Sequence, residues 1–266
     1  MTRESAAPAR YRMTGKLDRL LLAPLFLAGV LAAGCQSSFR AGAAHWQHPS
    51  ETMASRRPYL VVGFMGGIVR HDDPVRSEYK LAERLRTDYP ASVHVETFEN
   101  HRREDAHKVL LRLLDTDHDG ILGDAEKRDA RIILYGHSWG GAAVVKLARE
   151  LDGEGIPVLL TIQVDSVGQH DGLIPPNVAR AANFYRPSGL IHGRSNIRVA
   201  DASRTEILGN VRLDYKGKSP ACSEFPWYER VFVKTHTKIA CDPHVWSQVE
   251  ALIRSELAAP QNHSAP

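Results

Sequence analysis

An α/β fold, with a mostly parallel sheet and helices on both faces, is predicted by two features of this 266-residue chain. Short apolar, β-branched runs alternate with segments of helical periodicity, and the strongest runs are apolar throughout, as strands covered on both faces require. Tyr59–Gly63 (YLVVG), entered from Pro58, reads as the first buried strand. Glu78–Thr87 sets Tyr79, Leu81, Ala82 and Leu85 at helical spacing, and Pro90 stops it. Ser92–Phe98 alternates like a strand, and Arg103–Leu114 is an amphipathic helix. Arg131–Tyr135 (RIILY) is a second strongly apolar strand. Gly140–Leu151 follows as a helix whose small residues let it lie close to neighbouring backbone, and Pro157–Val164 is another buried strand. Between Gly168 and Pro226 the pattern weakens into turn signals such as Pro175-Pro176. Val231–Val233 is the expected last strand and Val245–Leu257 the closing helix.

Composition sets the class. With 43% apolar and 24% charged residues the chain is a soluble globular protein, neither disordered nor a multi-span membrane protein. The net charge is +3, from 34 basic and 31 acidic residues. Residues 1–34 carry five cations against two carboxylates, so the remainder balances at 29 of each. A neutral body without a basic run has no electrostatic footprint for nucleic acid, and that class is excluded.

Leu20–Gly34 is an uncharged apolar run preceded by Lys16 and Arg19. It is short for a bilayer span and fits the core of a signal peptide. Its end, Leu31-Ala32-Ala33-Gly34-Cys35, resembles the bacterial lipobox, with leucine one place further from the cysteine than usual. The resemblance implies a lipoprotein signal peptide over residues 1–34, a lipid on Cys35 and a membrane anchor through it. Met13 stands at a more usual distance from the apolar run than Met1. Gln36 follows the cysteine where, in the lipoproteins it resembles, Asp implies inner-membrane retention, so the resemblance implies the outer membrane of a bacterial cell envelope. Residues 35–57 read as a flexible tether, and residues 259–266 as a tail. In that oxidising compartment Cys222 and Cys241 are expected to form a disulfide.

Gly136-His137-Ser138-Trp139-Gly140 lies between RIILY and the helix that follows. This is G-x-S-x-G in the context that gives it meaning, a strand, a sharp turn and a helix. The serine must adopt a strained conformation that lifts its hydroxyl above the sheet, and side chains two residues to either side would collide with the strand or helix. The motif resembles the GHS(L/M)GG elbow of the α/β-hydrolase superfamily of lipases, esterases and thioesterases. The resemblance covers residues 58–258 as one catalytic domain and implies that fold. It also implies a nucleophile, acid and base in chain order.

Ser138 is then the nucleophile. Asp165 closes the strand after the nucleophile helix, where pancreatic-type lipases and acyl thioesterases keep their acid; Asp201 is the alternative. Among 13 histidines, the base should follow the last strand, which favours His236, with His244 as the rival pointing outward from the terminal helix. Oxyanion donors are expected from the amide of Trp139 and from the loop after the first strand, where Phe64 is preferred to Met65. A disulfide between Cys222 and Cys241 would anchor the segment carrying His236.

Asp115-Thr116-Asp117-His118-Asp119-Gly120-Ile121-Leu122-Gly123-Asp124-Ala125-Glu126 satisfies D-x-D-x-D-G-x5-E throughout. Asp115, Asp117, Asp119, the Ile121 carbonyl and Glu126 are the expected ligands of one Ca2+. The exiting helix has room for at most one turn, and no second loop pairs with it, so the ion is expected to be structural. The expected activity is hydrolysis of an acyl ester of a small molecule or lipid, without an organic cofactor. Thioesterase and amidase chemistry use the same triad, and a non-catalytic surface lipoprotein of the same fold is the competing class.

Overall fold

The structure, a computed structural model, describes residues 57–259 other than 188, 190, 217–219 and 233. The segments expected to be signal peptide, tether and tail, with Cys35, lie outside the described residues, in 1–56 and from residue 260. Among the described residues no helix is long and apolar enough to cross a membrane.

Strands β1 (Tyr59–Met65), β2 (Val93–Glu99), β3 (Ile132–His137), β4 (Val158–Val164), β5 (Leu173–Ile174), β6 (Val178–Tyr185), β7 (Arg198–Val199) and β8 (Glu206–Arg212) alternate with helices. The helices are α1 (Ser77–Asp88), α2 (Arg103–Leu114), α3 (Asp124–Arg128), α4 (Trp139–Gly153), α5 (Trp227–Phe232), α6 (Lys234–Cys241) and α7 (Pro243–Ala258). Six strands form one sheet in the order β2-β1-β3-β4-β6-β8, every pair parallel. β5 and β7 make a separate two-stranded piece. This is the expected α/β architecture.

Both faces of the sheet are covered, which explains the unbroken apolar runs. Because strand side chains alternate, Leu60, Val62 and Phe64 of β1 enter one core with α2 and α4, while Tyr59 and Val61 enter another with α1 and α7. β3 divides in the same way, Ile132 and Leu134 to the first core, Ile133 and Tyr135 to the second. The small residues of α4, Gly140 to Ala143, sit buried against the sheet.

Three expectations on the fold are corrected. β1 runs two residues past Gly63, to Met65. The weakly patterned region supplies two strands of the main sheet, β6 and β8. Neither carries a strong apolar run, because their polar residues are satisfied by tertiary partners. Buried Asn183 donates to Arg194 O and Asn210 Oδ1, and Arg180 pairs with Glu256. Finally, the expected last strand is corrected: Val231 and Phe232 end α5, and residue 233 is outside the described residues. β8 already occupies the sheet edge that a last strand would take, and a run of three residues has no strand tendency strong enough to override that packing.

Candidate active site

The turn from β3 into α4 projects Ser138 from the carboxyl ends of the strands. Its φ of 56° and ψ of −122° are unusual for a residue with a side chain. Hydrogen bonds over-determine this conformation. Ser138 N–H donates to Val164 O at 2.9 Å, and Ser138 O accepts from Gly141 N at 3.0 Å and Val167 N at 3.1 Å. The flanking glycines are steric requirements. A Cβ on Gly136 would lie 2.6 Å from the carbonyl of Gly140, and one on Gly140 would lie 2.2 Å from Phe64 O.

Asp165 and His236 meet at that serine. His236 Nε2 is 2.8 Å from Ser138 Oγ, and its Nδ1 is 2.7 Å from Asp165 Oδ2. A carboxylate only accepts, so Nδ1 carries the proton and Nε2 is left to accept from the serine hydroxyl. The three side chains come from β3–α4, the end of β4 and α6, and all are buried. His236 is the residue expected from the sequence but on a different element, in a helix instead of a loop after a strand. The Cys222–Cys241 disulfide forms, with a Cα–Cα distance of 5.5 Å. It ties the end of α6 to the segment entering α5, and Thr237 Oγ1 also binds Glu229 O in α5.

The acid is held from all sides. Asp165, itself at φ 45°, accepts from Gly193 N at 2.7 Å and Arg186 N at 3.2 Å on Oδ1. On Oδ2 it accepts from Arg186 Nε at 2.9 Å and Nη2 at 2.7 Å besides His236. Burial alone would push its carboxyl up, but the His236 hydrogen bond and the Arg186 guanidinium outweigh burial and hold it at about 2. Arg186 was not legible beforehand, since a lone arginine in a weakly patterned stretch gives no signal.

A second buried pair lies behind the base. The His137 ring stacks on His236 with centroids 4.7 Å apart, and Glu78 Oε1 is 3.6 Å from His137 Nδ1. Burial, the chief cause, pushes the Glu78 carboxyl up to about 7, and burial together with the charge of His236 drives His137 well below the usual histidine range. Glu78 did carry a sequence signal: at position 78 it continues the buried stripe 81, 82, 85 of α1.

The alternatives fall elsewhere. Asp201 accepts from the Ser203 amide and hydroxyl in the turn after β7. His244 stands exposed in the first turn of α7, bonded to Asp242 and Gln248. Trp139 opens α4, where the first amides have no partner within the helix, and its indole is half exposed. Phe64 is a correction: it lies inside β1, in register with Gly136. Leu60 N–H donates to Arg131 O, so by alternation the Phe64 amide also faces β3 within the sheet and not the site mouth. Met65 likewise closes the strand. The first residues beyond it are Gly66, whose N–H donates to Glu78 Oε1 at 3.2 Å, and Gly67, at φ 63°.

Ile68, 93% exposed, follows the glycine turn, and Trp227 and Tyr228 stand exposed on α5. A cavity of about 450 Å3 beside Trp139 is lined by Ala142, Ala143 and Val167 together with the polar Asn100, His101, Arg103, Lys146 and Gln169.

The acidic loop lies away from these residues, between α2 and α3. Ligand atoms of Asp115, Asp117 and Glu126 come within 4.8 Å of one another. Asp119 and Ile121 are outside that group: Asp119 Oδ1 accepts from Ile121 N, and the Ile121 side chain is exposed. Gly120 makes the sharp turn at φ 83°. Glu126 is held at about 2 by the hydroxyl and amide of Thr116 and the amide of Gly123.

Comparison with known protein families and with curated proteins found no match for this chain.

Proposed function

We propose that this protein is a serine hydrolase of the α/β-hydrolase superfamily that cleaves acyl esters. The reading is carried by one observation, the continuous Ser138–His236–Asp165 hydrogen-bond chain at a strained strand-to-helix turn. His236 takes the proton of Ser138 as the hydroxyl oxygen attacks the ester carbonyl, then returns it to the departing alcohol. Water repeats the attack on the acyl-serine and releases the acid. Asp165 holds the imidazole in the tautomer that accepts from serine, and Arg186 holds Asp165. The Trp139 amide serves as one oxyanion donor, and Gly67, rather than Phe64, supplies the other, since the Gly66 N–H is given to Glu78. The half-exposed Trp139 indole and the Ala142, Ala143 and Val167 side chains of the adjoining cavity favour an apolar acyl group as substrate.

Asp115, Asp117 and Glu126 are proposed to hold a structural Ca2+. Their carboxylates suit a hard cation, and Asp115 Oδ1 is buried with no hydrogen-bond partner among the described residues. The ion would brace the loop that leads into the nucleophile strand. Export as a lipoprotein anchored through Cys35 rests on the amino-terminal motif.

The test is hydrolysis of p-nitrophenyl esters of graded chain length. Wild type releases nitrophenolate, and Ser138→Ala reduces this to the background rate. Equal rates from both proteins would contradict the reading.

A further inference from the structure

We propose that Glu78 is a positioning residue, whose carboxylic acid and the His137 imidazole form a neutral pair that supports the base His236 and ties it to the glycine turn at the site mouth. The inference rests on the hydrolase reading and adds two residues to it.

Four groups from four elements converge here. Glu78, in the first turn of α1, is 2% exposed. Its Oε1 accepts from Gly66 N–H, just beyond β1, and faces His137 Nδ1, at the end of β3. The His137 ring lies 29° from parallel with that of His236, in α6. Gly66 is the only residue the contact admits, because a Cβ there would lie 2.4 Å from His137 Nδ1.

Charge decides the form of the pair. The imidazolium that develops on His236 as Ser138 attacks lies against the His137 ring. A protonated His137 would oppose it as a like charge, whereas a neutral ring offers it a π face. Neutrality requires that Glu78 not draw a proton onto His137, and a protonated carboxyl 3.6 Å from Nδ1 meets that need because it brings no negative charge to the ring. His137 Nε2 is buried and has no hydrogen-bond partner among the described residues, so no acceptor there holds a second proton on the ring. The other charged or titratable groups facing this cluster are Arg76, which is engaged by Glu229 and Asp73, Tyr135, whose hydroxyl donates to the Glu78 carbonyl, and Asp165 with Arg186 beyond His137. The cation of Arg76 is therefore already matched by carboxylates other than Glu78.

The test combines kinetics with imidazole nitrogen spectra. Glu78→Ala is expected to lower kcat between about tenfold and a hundredfold with KM unchanged, the scale of loss when a reacting group is slightly misplaced. Glu78→Gln should recover most of that loss, since it is neutral and its carbonyl still accepts from Gly66 N–H. In 15N spectra of the wild type at pH 6, His137 is expected as a neutral imidazole, with one ring nitrogen protonated. Three results would overturn the proposal: an unchanged kcat in Glu78→Ala, a Gln variant as slow as the Ala variant, or a His137 protonated on both ring nitrogens. A wild-type chain inert on every ester defeats the hydrolase reading instead, and the charge of His137 still decides whether the neutral pair exists.

Discussion

Arg186 and His236 bind the same carboxylate oxygen, Oδ2 of Asp165, and the arginine Nη2 lies 3.4 Å from the imidazole Nδ1. The acid is therefore shared between the base and a buried cation. Removing the cation strands a buried carboxylate, so Arg186→Met should lower the unfolding free energy by about 3 kcal/mol in urea titrations. Arg186→Lys, which keeps charge but not the two-pronged contact, should lose less. An unchanged urea midpoint in Arg186→Met contradicts this account of the acid.

Asp165→Asn replaces an acceptor by an amide that faces five donor contacts and cannot hold the imidazole in the accepting tautomer. Its kcat on an ester should fall by about three to four orders of magnitude. Asp201→Asn, which only loosens a turn, should stay within about twofold, as expected of a surface substitution. If the second variant is the crippled one, the acid has been misassigned.

The buried Glu78 makes stability depend on pH. Its folded pKa of about 7 lies above the ordinary 4.5, so its contribution is fully present below pH 4.5 and is lost as pH rises through 7. The loss is about 3 kcal/mol. His137, depressed by burial, works in the opposite sense below its ordinary range, so the two partly cancel between pH 4.5 and 6.5. The difference in unfolding free energy between wild type and Glu78→Gln isolates the carboxyl. That difference should shift against the wild type by about 3 kcal/mol between pH 4.5 and 8. A flat difference rules out the buried acid. At the acid end, Asp165 stability is present above 3.8 and is lost as pH falls towards 2.

Calcium should raise the melting temperature, since an ion bound only by the folded chain adds about 2.7 kcal/mol at a hundredfold excess over its Kd. Chelator should reverse the rise, and Asp115→Asn with Glu126→Gln should abolish it. No thermal shift and no titration heat in the wild type would mean that the loop is a solvated acidic turn.

The parts of this protein legible in its sequence are those whose causes are local. The apolar runs of β1, β3 and β4 announce a parallel sheet because burial on both faces leaves no polar alternation. The glycines at 136 and 140 announce the elbow because their neighbours leave no room for a Cβ. What stayed hidden depends on distant partners. β6 needs Asn210 and Glu256 before Asn183 and Arg180 can enter a sheet. His236 was picked out by chain order and the Cys222–Cys241 bridge beside it by the cysteine count, yet its placement in a helix held by Thr237 on Glu229 of α5 has no local pattern to announce it. Phe64 failed as an oxyanion donor because strand pairing carried β1 past the glycine that looked like its end.

The central claim, a serine made nucleophilic by the imidazole of α6, is tested most directly by a fluorophosphonate probe followed by peptide mass analysis. The account predicts one adduct, on Ser138, absent in Ser138→Ala and formed at least about a hundredfold more slowly in His236→Ala. A folded wild-type chain that takes no label, or takes it on another residue, contradicts it.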